Sequence, residues 1–421
     1  MKILFILGMY HPQYSANGVC CKNVVDECIA QGHQVICVVN SYGDCPKEDF
    51  VDGAKLYRIK HKWIDRVNQF CEREENAGKK FVKPVKTFAQ IVNKIKLGLT
   101  SFSWPLVSPL YTYRFYKQAK ILYEKEKFST VVSVYTPIDS LIAGCLLKRK
   151  YPEVKFIPYY LDALAGGWGP SKWSYKKKDK RTRKWESFID KYADVIISMK
   201  SSRQYHENNM LEGINAEKRC YLDVPLMKRH NDTNELDMDS KPCSKTLIFA
   251  GGISYPRRDP KPILEILSIV CLKTDTEVLF VGECNKPSIF QPYIDKTNGK
   301  IKYLGYQPHN KVTEMEQKAD CLINIGSTNP YTISGKIFEY MTFLKPIIST
   351  FSIEDEPSIK YLEKYKPVLF VDEKDDWQHS ANEIIKFLDN GEQSKIDDDT
   401  LKKLFYNNTP EAFIDVIDNL M

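Results

Sequence analysis

The chain has 421 residues, too many for one hydrophobic core and suited to two or three domains. Apolar residues make up 43% and charged residues 27%, which excludes general disorder. The formal net charge of +7 is unevenly spread: segment 79–96 holds six lysines and no acid, and segment 172–184 holds eight basic residues against Asp179 alone. Such a basic first half can face nucleic acid, anionic lipid or a phosphorylated acceptor.

The apolar run at 3–7 is too short for a signal-peptide core, and no window approaches the roughly 20 apolar residues of a membrane span. The sequence therefore predicts a cytoplasmic protein. Residues 3–7 read as a strand buried on both faces. After a polar loop over 8–18, Cys20, Val24 and Cys28 recur at helical spacing with Cys21, Val25 and Ile29 beside them. Gly32 ends that helix, and 35–39 is the next strand. Strand–helix–strand units of this kind build parallel sheets.

Segments 130–134, 155–158 and 193–198 continue the pattern, and Asp223-Val224-Pro225 closes the first half. Polar residues 228–245 read as a linker. Strands are then expected at 246–250, 278–281, 302–304, 321–325, 346–349 and 368–371. Asp259-Pro260 opens a helix through Cys271, and Thr409-Pro410 opens the last one. The expected fold class is α/β, with two Rossmann-like domains whose parallel sheets face across a cleft. The expected boundaries are 1–227 for the first domain, 246–395 for the second, and 396–421 for a tail crossing back. Ligands of open parallel sheets bind beyond the carboxyl ends of the strands.

The twelve cysteines show neither metal nor disulfide spacing and read as reduced, mostly core thiols. Asp237-Met238-Asp239 looks like a metal-binding motif, but it lies in the polar linker with no strand beside it, so no essential metal is expected.

Chemistry concentrates in Ser334-Gly335-Lys336-Ile337-Phe338-Glu339-Tyr340-Met341. Ser334 is a suitable N-cap, and Gly335 permits close backbone approach. Lys336 in a first helical turn opposes the helix dipole unless an anion sits there. Glu339, one turn on, can accept from two sugar hydroxyls. An ordinary capped helix with a solvated lysine explains the same residues. A second segment, Phe249-Ala250-Gly251-Gly252 followed by Arg257-Arg258-Asp259-Pro260, joins a strand end to phosphate-compatible glycines and arginines. A third is Tyr303-Leu304-Gly305-Tyr306-Gln307-Pro308, a strand, a glycine and an aromatic.

These segments resemble the donor site of the GT-B glycosyltransferases called family 4. The resemblance implies transfer of a sugar from a nucleotide-sugar donor to a glycan or lipid-linked saccharide, with retention, in surface polysaccharide or glycoconjugate synthesis. It implies an acceptor-binding first domain and a donor-binding second domain. Glu339 matches the glutamate that binds the donor ribose, while Tyr331 stands where the family carries an earlier glutamate. Arg258, with Arg257 as competitor, and Lys336 would neutralise the departing diphosphate. Gly251, Gly252, Ser334 and Gly335 would hold the pyrophosphate, and the loop at Tyr306 the base. Asn17-Gly18 resembles the glycine loop under the donor phosphates. Asp162 would orient the acceptor hydroxyl, with His11 a weaker candidate. His309 reads as a polar loop residue and His33 as structural. No cofactor is implied.

The aromatic-rich basic segment 79–117 suits contact with the anionic inner face of a membrane. No nucleic-acid-binding motif accompanies the charge. Two rivals share the pattern. Sugar-nucleotide 2-epimerases have this fold but need further acid–base groups, and the seven histidines here form no sequence cluster. A non-catalytic nucleotide-sugar-binding partner in a glycan-assembly complex is the other.

Overall fold

The computed structural model describes residues 1–73, 76, 78–105, 108–162, 164, 173–208, 217–228, 244–255, 258–328, 333–391 and 396–420. Arg257, Tyr331, the Asp237-Met238-Asp239 segment and most of the expected linker lie outside them. The chain divides into two compact units, Met1–Pro225 with Pro410–Met421, and Leu226–Thr409.

The first unit carries β1 (Lys2–Ile6), β2 (Gln34–Asn40), β3 (Glu48–Val51), β4 (Ala54–Ile59), β5 (Thr130–Tyr135), β6 (Lys155–Tyr160), β7 (Ile196–Met199) and β8 (Arg219–Leu222). Their order is β3-β4-β2-β1-β5-β6-β7-β8, parallel throughout except for the β3–β4 hairpin. β1 is central, and Ile3 to Ile6 are completely buried, as its unbroken apolar run requires. The strand expected from 193 begins only at Ile196, because Asp194 turns aside to accept from the Phe156 amide at 2.7 Å. The β3–β4 hairpin turns at Asp52-Gly53, both left-handed (φ 49° and 84°).

The second unit carries β9 (Lys245–Ala250), β10 (Thr276–Val281), β11 (Ile301–Gly305), β12 (Cys321–Ile325), β13 (Ile347–Phe351) and β14 (Val368–Asp372). These form one all-parallel sheet ordered β11-β10-β9-β12-β13-β14. Its core joins Leu247, Phe280 and Ile323 of the sheet to Ile263 and Leu267 of the helix Lys261–Lys273.

The return to the first unit begins at Pro410, not at residue 396. The helix Asp398–Leu404 stays with the second unit, where the buried Phe405 ring packs 6.4 Å from Tyr361 and 6.5 Å from Phe338. The helix Pro410–Asp418 places Phe413 against Phe5 and Tyr159 of the first core. Eleven cysteines among the described residues are free, and burial pushes the Cys28, Cys145, Cys271 and Cys321 thiols up to about 12. These are inert core side chains. Among the described residues no helix is long and apolar enough to cross a membrane, and no three His, Cys, Asp or Glu side chains are grouped to hold a metal ion.

Candidate functional site

In the second unit, three loops leave the carboxyl ends of β9, β10 and β11 side by side. The Gly251 amide donates to Val281 O at 2.9 Å, and the Gly282 amide to Gly305 O at 2.8 Å. Ile253 then donates to Glu283 O at 2.8 Å. This crowding makes Gly282 obligatory: its φ is +131°, and a Cβ there would lie 2.2 Å from Gly251 O. Gly251 and Gly252 are under no such demand, since a Cβ would meet only the Phe249 ring at 3.4 Å or Glu283 O at 4.0 Å. Gly305 has φ +63°, and the turn it permits leaves Tyr306 60% exposed at the strand end.

Arg258 lies after this glycine turn and donates from Nη1 to Gly252 O at 3.2 Å. Burial pulls its guanidinium below the usual arginine range, while Tyr340 and Glu356 pull it back up. Glu356 is itself a buried helix cap that accepts from the Ser358 amide at 2.8 Å.

The helix carrying the motif runs Lys336–Thr342 and is only seven residues long. Gly335, not Ser334, occupies its N-cap position, and no side chain caps it. Ser334 contributes its carbonyl, which accepts from the Ile337 amide at 3.2 Å. The helix is fixed under β9 by Tyr340, whose buried hydroxyl accepts from the Ala250 amide at 2.9 Å. Tyr340 is thus the hub of the site. Arg258, Glu316 and Glu339 all act electrostatically on its hydroxyl, and burial holds its proton far above the usual range.

Lys336 has two anionic partners. Its Nζ lies 2.8 Å from Glu339 Oε2 and 2.8 Å from Glu316 Oε1. Burial alone would lower the ammonium pKa, but Glu339 and Glu316 outweigh it and hold the pKa above the usual lysine range. Glu316, from the helix His309–Lys318, is completely buried. Burial pushes its carboxyl up to about 7, against the pull of Lys336 and with the push of Glu339. Glu316 was absent from the sequence reading. One exposed-looking glutamate among Glu314 and Glu316 carries no signal until Lys336 is known to face it.

In the first unit, Asn17 and Gly18 lie in the first turn of the helix Ala16–Ala30, not in the preceding loop. Ser15 caps that helix by accepting from the Gly18 amide at 3.1 Å. Gly18 is required here, since its Cβ would sit 2.6 Å from Met9 O. Asn17 donates to Asp162 Oδ2 at 2.8 Å, so two residues distant in sequence meet at the ends of β1 and β6. Beside them, Gly8, Met9, Ser15, Asn40, His61, Lys62, Tyr111, Thr136 and Pro137 line a pocket of about 150 Å³. Its polar wall is a chain: Tyr111 donates to Asn40, Asn40 Nδ2 contacts His61 Nε2 at 3.0 Å, and His61 Nδ1 lies 2.6 Å from Asp65. Lys62 lies 3.3 Å from the buried Asp139. The sequence reading missed His61 and Lys62 because it missed β4, the strand they follow. His11 instead packs at Arg58 Nη2, 3.2 Å away, and burial with the Arg58 charge lowers its pKa. His33 contacts the N-terminal amine at 3.0 Å and Asp418 at 3.7 Å, a structural role.

No protein-family model matches the chain, and no curated protein sequence does. Solved structures do resemble it over its full length. Sucrose-phosphate synthase from Thermosynechococcus elongatus is 12% identical over 100% of this chain and 98% of that one, with a TM-score of 0.59. UDP-GlcNAc 2-epimerase from Neisseria meningitidis bound to UDP-GlcNAc is 12% identical over 100% of each chain, with a TM-score of 0.54. The lipopolysaccharide outer core galactosyltransferase WaaB in its apo form is 14% identical over 100% of each chain, with a TM-score of 0.52. The fold is therefore α/β with two parallel-sheet, Rossmann-like units, the fold of GT-B glycosyltransferases.

Proposed function

We propose that the chain is a glycosyltransferase of the hexosyltransferase type, which moves a sugar from a nucleotide-sugar donor to a glycan or lipid-linked saccharide. The donor binds the second unit and the acceptor the first. The observation that carries this reading is the group of charged side chains around Tyr340: Arg258 on one side, the Glu316–Lys336–Glu339 cluster on the other. Rigid support comes from the Tyr340–Ala250 hydrogen bond. Packing does not require a glycine at position 252, and its absent side chain lets a diphosphate approach the backbone there, while the neighbouring Gly251 amide is already given to Val281 O at 2.9 Å.

In this reading Glu339 accepts from the donor ribose, with Lys336 fixing its carboxylate. Arg258 faces the diphosphate, and Tyr306 lies along the base. Transfer breaks the bond between the sugar anomeric carbon and the donor phosphate oxygen, and the bonding electrons leave with the diphosphate. The acceptor oxygen takes the same face of that carbon, and its proton passes to the departing phosphate oxygen. The protein's contribution is positioning and charge stabilisation, which needs no metal ion. Asp162, held by Asn17, orients the acceptor hydroxyl. Surface polysaccharide or glycoconjugate synthesis is the process such an acceptor implies. Similarity to an epimerase bound to UDP-GlcNAc keeps one second reading, isomerisation of the sugar nucleotide itself.

The test is a thermal-shift comparison of UDP-, GDP- and dTDP-sugars on wild type, Arg258→Ala and Glu339→Ala. A ligand at a hundred times its Kd stabilises the folded state by about 2.7 kcal/mol. One nucleotide series should raise the wild-type melting temperature and leave both variants unmoved. No shift with any series, or equal shifts in all three proteins, overturns the donor site. Epimerised sugar nucleotide formed without acceptor would select the isomerase.

A further inference from the structure

The basic segment 79–117 divides sharply once folded. Trp104, Tyr111 and Phe115 are core residues, 3%, 2% and 0% exposed. The helix Val82–Leu99 behaves differently: Phe88, Ile91, Ile95 and Leu99 are 64%, 51%, 58% and 74% exposed. Their spacing of three, four and four places them on one stripe, about 16 Å long at the helical rise of 1.5 Å per residue. At helical pitch, Lys83 and Lys94 flank one side of that stripe and Lys96 the other. On the neighbouring helix Trp63–Glu72, Phe70 is 46% exposed, and its ring lies 6.4 Å from that of Phe81, extending the apolar surface at one end.

Single exposed apolar residues need no explanation, but four in line on one helix do. Charge decides what covers them. From residue 76 to residue 123 the chain has nine basic residues and no acid. A second copy docked face to face would set lysines against lysines. Nucleic acid would take the lysines but leave four apolar side chains against phosphates. An anionic bilayer satisfies both sets, with apolar side chains in the acyl boundary and ammonium groups at lipid phosphates.

We propose that the helix Val82–Leu99 lies in the surface of an anionic membrane, with Phe88, Ile91, Ile95 and Leu99 inserted and Lys83, Lys94 and Lys96 on the headgroups. This surface does not depend on the sugar-transfer reading, and its test measures no transfer.

The full chain is sedimented with vesicles of phosphatidylcholine alone and with vesicles containing about 30% phosphatidylglycerol, over a range of salt. Binding should favour the anionic vesicles at least about tenfold and weaken as salt rises. Ile91→Ser with Ile95→Ser should lower the partition coefficient at least about tenfold at an unchanged melting temperature, because both side chains are already exposed. Should that pair disturb folding, Leu99→Ser at the helix end serves instead. No binding to anionic vesicles overturns the proposal. Binding indifferent to both apolar variants overturns insertion and leaves the lysines alone responsible. Self-association lost in the same variants, without vesicle binding, assigns the face to a second copy.

Discussion

Replacing Glu316 by glutamine separates the two consequences of its carboxylate, a contact to Lys336 and a charge in a fully buried place. The folded carboxyl titrates near 7, against 4.5 for a free glutamate. The folded state thus binds this proton more tightly, and the stability it contributes is full below 4.5 and lost as pH rises through about 7. A displacement of that size, at about 1.36 kcal/mol per pH unit, is worth about 3 kcal/mol as an upper bound. Glutamine keeps the shape and never ionises. At about pH 5 the variant and wild type should agree within about 1 kcal/mol, and by about pH 8.5 wild type should have lost up to about 3 kcal/mol against the variant. For a unit of this size the melting temperatures should separate by roughly 5–10 °C. Calorimetry of both proteins across that pH range reads the difference directly. A variant less stable than wild type by about 2 kcal/mol at high pH, yet equal at low pH, would refute the reasoning. It would mean that the ion pair with Lys336 outweighs the cost of burying the charge.

Three other substitutions test separate links. Tyr340→Phe leaves the Ala250 amide without its 2.9 Å acceptor and should cost about 1–3 kcal/mol in urea unfolding, with a cost under about 0.5 kcal/mol contradicting the hub role. Gly282→Ala forces a Cβ to within 2.2 Å of Gly251 O and should cost more than about 3 kcal/mol, and an unchanged denaturation midpoint would contradict the packing of the three loops. Asp162→Asn, at an exposed position, should change stability by less than about 0.5 kcal/mol while slowing transfer at least about tenfold at unchanged donor affinity. Equal turnover would remove Asp162 from the acceptor site.

The parallel strands could be read from the sequence because burial on both faces forces unbroken runs such as Ile3-Leu4-Phe5-Ile6 and Cys321-Leu322-Ile323. The β3–β4 hairpin could not be read that way. Its outer strand is half-exposed and mixes Glu48 and Asp49 with Phe50 and Val51. Its one local mark was Asp52-Gly53, the dipeptide of a tight hairpin turn. Losing the hairpin also lost His61 and Lys62, whose interest comes only from following β4 beside Asn40 and Tyr111. The motif around Glu339 was visible because its unusual residues are contiguous. Glu316 was invisible because its significance comes from a neighbour twenty residues away.

Lys336 opposes the helix dipole, which calls for an anion beside it. The structure supplies two from the chain itself, Glu339 and Glu316. The cluster therefore carries a net charge of −1 when Glu316 is ionised and 0 when it is protonated. At the proposed donor site this sets the charge that meets the two phosphate charges of a nucleotide sugar, which do not titrate near neutrality. Donor affinity should accordingly fall as pH rises through about 7, the value to which burial pushes Glu316. In Glu316→Gln the fall should vanish. Calorimetric titration of the nucleotide sugar, rather than the free nucleoside diphosphate, removes the terminal phosphate as a competing source of pH dependence. A pH dependence equal in both proteins would place the diphosphate beyond the reach of this cluster and leave Arg258 as the cation that meets it.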